Sequence, residues 1–171
     1  APIGRPLARV DTGAVAARVS ALAPVESVEV HRSWPTTLRI EVTERTPVLA
    51  VADPAGVALV DRAGVAFTTA AGAPAGVVPA EVPAELAEDR RTELLVDLAG
   101  VVLALPPELT VQVRSISTDS ADTIELVLTG DRVVEWGSVE DSALKARVAV
   151  VLLEQEGEVY NVSVPSHPTV R

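Results

Sequence analysis

Apolar positions recur along this chain with two periods, and the places where the period changes mark its elements. After an irregular opening over residues 1–10, Asp11 reads as a helix N-cap, its short carboxylate suited to the free amides of a first turn. Val15, Val19 and Leu22 follow at i, i+4 and i+7, which is one helical face, and Pro24 stops it. The period then drops to two. Val28, Val30 and Trp34 share a face, interrupted by Arg32, and Glu29, His31 and Ser33 share the other. Pro35–Thr37 turns the chain. Leu38, Ile40 and Val42 then face one way and Arg39, Glu41 and Thr43 the other. This is a β-hairpin with one dry face, which the preceding helix can cover. A two-stranded sheet is marginal alone, so a further strand ahead of Ala1 is expected.

A second organisation begins at Pro47 and runs to residue 171. Val48–Ala52 is a short strand. Val57 and Leu59 alternate into a hairpin turn over Asp61–Gly64, and Val65–Thr68 returns. Residues 70–83, rich in Gly and Pro, predict a loop. From Ala84 to Leu105 the pattern is helical, striped by Leu94, Leu98, Val101 and Leu105 and ended by Pro106-Pro107. Gly100 weakens that helix by about 1 kcal/mol relative to Ala. Three strands follow, marked by Val111 and Val113, by Ile124, Leu126 and Leu128, and by Val134 and Trp136. Glu140 and Asp141 place negative charge at the start of a helix striped by Leu144, Val148, Val151 and Leu152 and closed by Gly157. Val159–Val164 is the last strand, with Pro165 and Pro168 marking its end. The fold class is α+β: a small first domain, then a mixed α/β domain with a mainly antiparallel sheet and no internal repeat.

Charge narrows the partners. Lys and Arg number 14 against 24 Asp and Glu, a formal net charge of −10. That balance argues against nucleic acid and against binding an anionic membrane through net charge alone. The absence of cysteine removes disulfides, thiolate nucleophiles and cysteine-ligated metals. No apolar run is long enough to span a bilayer. The chain starts at Ala1-Pro2 and has no Met, so a fragment with an upstream anchoring or targeting segment is expected.

Catalytic signatures are missing. His31 sits on the wet face of a strand and His167 in a terminal Ser-His-Pro segment, neither near a second ligand. Asp119 and Asp122 in a turn, and Glu154, Glu156 and Glu158 near a helix end, read as solvated charge and do not match a calcium loop. There are four aromatic residues, too few to line a glycan cleft. The chain is expected to be non-enzymatic, without cofactor or metal. Two binding features stand out. Lys145 and Arg147 on the last helix either steer an acidic partner or balance Glu140 and Asp141. Val159–Val164, with Tyr160, either is a sheet edge able to accept a partner strand or is covered, with Tyr160 packing. Trp34 reads as a packing residue at the hairpin turn.

The run Arg32, Trp34-Pro35, the alternating Leu38–Val42 and Glu44-Arg45-Thr46-Pro47-Val48 resembles the signature of the FtsQ/DivIB family of bacterial cell-division proteins. Gly4-Arg5-Pro6-Leu7, the turn Asp61–Gly64, Leu126–Gly137 and Asn161-Val162-Ser163 are similar too, so the likeness covers most of the chain. The Ala- and Val-rich, Met-free style looks actinobacterial. The resemblance implies a POTRA domain over residues 1–46, truncated at its first strand, and an FtsQ-type β domain over 47–171. It implies a single-pass membrane protein whose bulk lies outside the cytoplasmic membrane at the division septum. Its β domain is then expected to bind an FtsB/DivIC–FtsL pair by strand addition at the last strand, and its POTRA domain other components of the division machinery. Carried onto this chain, the contact run is Tyr160, Asn161, Val162, Ser163 and Val164, with Lys145 and Arg147 as ion-pair donors. Val164 stands where family members often have an aromatic. The alternative is a POTRA-containing secretion or assembly module, which usually carries tandem POTRA units or a barrel. A third reading, an enzyme acting on cell-wall glycan or peptide, requires a polar cleft with convergent titratable groups.

Overall fold

The structure, a computed structural model, describes residues 7–171; the Gly4-Arg5-Pro6 segment of the resemblance lies outside them. The chain divides into two compact units, residues 1–46 and 47–171. In the first, Leu7–Arg9 forms a 3-10 turn and α1 spans Thr12–Ser20. Asp11 caps α1, its Oδ1 accepting the Ala14 N–H at 3.0 Å. Strands β1 (Val25–Ser33) and β2 (Thr37–Glu44) pair antiparallel, setting Val28 opposite Val42 and Val30 opposite Ile40. Val10, Val15 and Val25 are buried between helix and hairpin.

Two expectations for this unit fail. Leu22 lies beyond the end of α1 and is exposed, because the helix closes at Ser20. Trp34 does not pack: it is 68% exposed at the hairpin turn. Ile40 and Val42 are also exposed, so α1 covers only part of the dry face.

The second unit is built on one sheet. Its strands are β3 (Leu49–Asp53), β4 (Gly56–Val60), β5 (Ala66–Ala70), β6 (Val78–Glu81), β7 (Val113–Ser117), β8 (Ile124–Leu128), β9 (Val133–Gly137), β10 (Val159–Asn161) and β11 (Thr169–Val170). Their spatial order is β11-β10-β9-β8-β7-β6-β3-β4-β5. Pairing is mostly antiparallel, with parallel ladders at β3–β6, β6–β7 and β9–β10. Helix α2 (Glu88–Ala104) carries the chain from β6 to β7, followed by the one-turn helix α3 (Pro107–Thr110); α4 (Ser142–Leu152) carries it from β9 to β10. These two crossovers join parallel neighbours, run in the same sense and step in the same direction. The right-handed rule therefore sends both helices to one face of the sheet, where they pack on each other. Leu95, Leu98 and Val101 of α2 meet Ile124, Leu126 and Leu128 of β8 and Val134 and Trp136 of β9 in one buried core.

Four expectations for this unit are corrected. The predicted loop over 70–83 contains β6, a central strand. Val78 donates to Val48 O on the β3 side, so the alternation turns Pro79 toward β7, where pairing starts only at Ala80. A proline is tolerated where no ladder bond is required. Val111 is exposed and precedes β7 rather than belonging to it. The stripe of α4 is rotated: Ser142, Lys145, Ala146, Ala149 and Leu152 face inward, while Leu144 and Val151 are exposed. Small Ala146 and Ala149 allow the helix to approach closely, and β-branched or longer side chains point out. Finally, the last strand stops at Asn161 rather than Val164, and the chain returns past Pro168 as β11.

Candidate functional site

The C-terminal end of the large sheet gathers the residues singled out from the sequence. Strand β10 lies between β9, to which it is parallel, and β11, to which it is antiparallel. It is therefore covered, and β11 is the outermost strand. Tyr160 and Val162 are fully buried. The Tyr160 hydroxyl reaches the carbonyls of Gln155 (2.9 Å) and Gly157 (2.8 Å), pinning the loop that follows α4. Val162 donates its N–H to Glu135 O at 2.9 Å, inward to β9. Asn161 Oδ1 accepts from Ser163 N at 3.0 Å and Ser163 Oγ at 2.7 Å, which shapes the connection into β11. Val164, in that connection, is 53% exposed.

Three residues that sequence reasoning missed complete this end. Glu135 on β9 binds two elements through one carboxylate: Oε2 accepts from Asn161 Nδ2 and Oε1 from Arg171 Nη2 at 2.6 Å. Arg171 and Val159 exchange both backbone bonds, at 2.9 and 3.0 Å. In an antiparallel ladder the next residue, Val170, then turns its N–H and C=O outward. Only the parallel register of β9 with β10, which no local pattern encodes, brings Glu135 opposite Asn161.

Lys145 and Arg147 part company. Lys145 is 2% exposed, and its Nζ donates to Ser138 O at 2.8 Å. Trp136 Nε1 donates to Ser142 Oγ at 3.1 Å beside it, so the turn from β9 into α4 is tied twice. Burial lowers the Lys145 pKa, and Asp141, Glu140 and Asp122 oppose that shift. Of the two expected ion-pair donors, Lys145 is placed inside by the rotation of α4. Arg147 remains exposed and lines an apolar groove of about 400 Å³ with Val148, Val151, Leu152, Gln155 and Pro168.

Elsewhere, an open hollow of about 530 Å³ is lined by Glu81, Asp119, Glu125 and Thr118 among others. Thr118 and Thr123 are engaged with the Ser120 backbone, and the titratable groups there are carboxylates alone. His31 pairs with Glu29 (3.1 Å), and His167 Nδ1 lies 2.9 Å from Ser166 Oγ. Among the described residues no group of three or more His, Cys, Asp or Glu could hold a metal ion, and no helix is long and apolar enough to cross a membrane.

Comparison with known proteins fits this architecture. A family model for the FtsQ-type POTRA domain matches residues 1–45, and one for the C-terminal part of cell division protein FtsQ/DivIB matches 50–164. Cell division protein FtsQ of Mycolicibacterium smegmatis is 39% identical over 98% of this chain and 49% of its own length. That of Streptomyces griseus is 39% identical over 99% of this chain and 85% of its own, and that of Mycobacterium leprae 38% over 99% and 48%. The chain thus spans about half the length of the mycobacterial relatives it matches. With both units matched in order and the likeness running end to end, the chain belongs to the FtsQ/DivIB family of cell-division proteins.

Proposed function

We propose that this chain is a non-enzymatic scaffold of the division machinery. It takes a strand from an FtsB/DivIC–FtsL-like pair at the C-terminal end of its large sheet. It acts on the extracytoplasmic side of the cell membrane, at the septum, anchored by a segment outside this chain. The observation that carries the reading is the ending of a nine-stranded sheet on a two-residue strand, β11, with Val170 turned outward. Such an edge offers backbone donors and acceptors to an incoming strand. Beside it, Arg147 and the groove at Val148, Val151 and Pro168 offer one positive charge and an apolar slot to an acidic, amphipathic segment. Val164 adds exposed apolar surface. Tyr160, Asn161, Val162, Ser163 and Lys145 serve the same site from within, by holding the hairpin and the turn behind it.

The FtsQ/DivIB match over the second unit favours this reading over a POTRA-containing secretion module. The test is a calorimetric titration with the extracytoplasmic part of the FtsB/DivIC–FtsL pair. Saturable binding is expected, weakened about tenfold by Val170→Pro, which removes one outward N–H, a loss of about 1.4 kcal/mol. Proline at Val162 would instead break the internal bond to Glu135 and so tests folding. Binding that ignores both Val170→Pro and Arg147→Glu would remove the C-terminal edge from the account.

A further inference from the structure

The exposed tryptophan at the hairpin turn of the first unit has no part in strand addition on the second. Three observations bear on it. Trp34 is largely solvent-exposed, whereas Trp136, the other tryptophan, is fully buried. Charge is divided unevenly: residues 1–46 hold six arginines against five carboxylates, and residues 47–171 hold eight basic against nineteen acidic residues. Between Glu29 and Glu41 there is no carboxylate at all, and Arg32 and Arg39 flank the tryptophan. Arg39 pairs with Glu41 at 2.9 Å and stays exposed. Position is the third. Arg32 Nη2 donates to Val10 O at 2.6 Å, so the chain entering α1 lies at the turn end of the hairpin. Strand β2 runs from that turn to Glu44, where the chain leaves the unit. The turn and the entering chain therefore share the end opposite the exit.

We propose that the Trp34 turn is a lipid-contacting anchor, seating its indole at headgroup depth in an anionic bilayer with Arg32 and Arg39 toward lipid phosphates. The inference rests on the membrane setting proposed above. An indole is an apolar plate with one N–H donor, which suits the boundary between acyl chains and headgroups. Guanidinium groups pair with phosphate. The strongly acidic second unit is repelled by the same surface, so the hairpin is the part of the chain that an anionic bilayer accepts.

The test tethers the chain by an N-terminal hexahistidine tag to nickel-chelating vesicles, of phosphatidylcholine alone or with phosphatidylglycerol. Emission of the chain minus that of Trp34→Phe isolates Trp34. Its emission is expected to shift to shorter wavelength, with about twofold quenching by brominated acyl chains, as for an indole at headgroup depth. The effect should be larger with phosphatidylglycerol and smaller in Arg39→Glu. Unchanged emission on both vesicle types overturns the proposal, as does a shift that requires added FtsB/DivIC–FtsL pair, which would make the turn a protein contact. No division partner is needed for the vesicle readout, so its failure leaves strand addition standing.

Discussion

Arg171 and Glu135 are 36 residues apart in sequence, and Arg171 Nη2 lies 2.6 Å from Glu135 Oε1. The same carboxylate holds Asn161, so one side chain on β9 fastens both strands that finish the sheet. Glu135→Ala should loosen this end by about 1 kcal/mol, since the Arg171 pair is partly exposed and worth little alone. Hydrogen exchange by NMR should show the Arg171 and Val159 amides losing protection, while Leu126 and Val134 keep theirs. Equal loss across the sheet would mean that β11 has no independent stability.

Helix α4 gives a test of its rotation. Ala149 is fully buried and Val151 is 64% exposed. Ala149→Leu should cost about 1–3 kcal/mol by overpacking, and Val151→Ser should change stability by no more than about 0.5 kcal/mol. Urea unfolding of both variants decides the matter. The reverse order would restore the stripe expected from Leu144, Val148 and Val151.

Lys145 predicts a pH dependence. Burial lowers its pKa from 10.5, so the folded chain gives up this proton at a lower pH than the unfolded chain does. Within that window the unfolded state binds more protons, and stability rises with pH. Lys145→Met lacks the group. The stability of the natural chain relative to Lys145→Met should therefore improve between about pH 7 and about pH 10. Parallel urea titrations at the two values measure it, and a difference that stays flat or declines contradicts the burial.

Gly137 ends β9 at φ 77°, where a Cβ would stand 2.8 Å from that of Ser163. Gly137→Ala combines left-handed strain with a clash against the β10–β11 connection. It should cost about 2 kcal/mol or more, readable as a fall in melting temperature.

The parts legible in the sequence are those where period and burial agree. Ile124, Leu126 and Leu128 alternate and are buried alternately; the stripe Leu94, Leu98, Val101 faces the core. Helix α4 was not legible because Ala and Val make both of its faces apolar, and side-chain size rather than polarity chose the buried one. Strand β6 was hidden by Pro79, whose missing donor happens to point where none is needed. Strand β11 is two residues behind a proline, too short for any period. At the candidate site, the identity of Tyr160 and Asn161 was readable but their roles were not. The role of Asn161 depends on Glu135, which reaches it only through strand pairing, and that of Tyr160 on the carbonyls of Gln155 and Gly157 in the loop after α4.

The short strand β6 has a mechanical consequence. It joins two antiparallel meanders, β3-β4-β5 and β7-β8-β9, yet it meets β7 at only Ala80–Ile116 and Glu81–Ser117. A pull applied to β9 would load those two rungs in series with everything on their far side. The sheet should part along this seam before either meander unravels, leaving α2 as the tether between the halves.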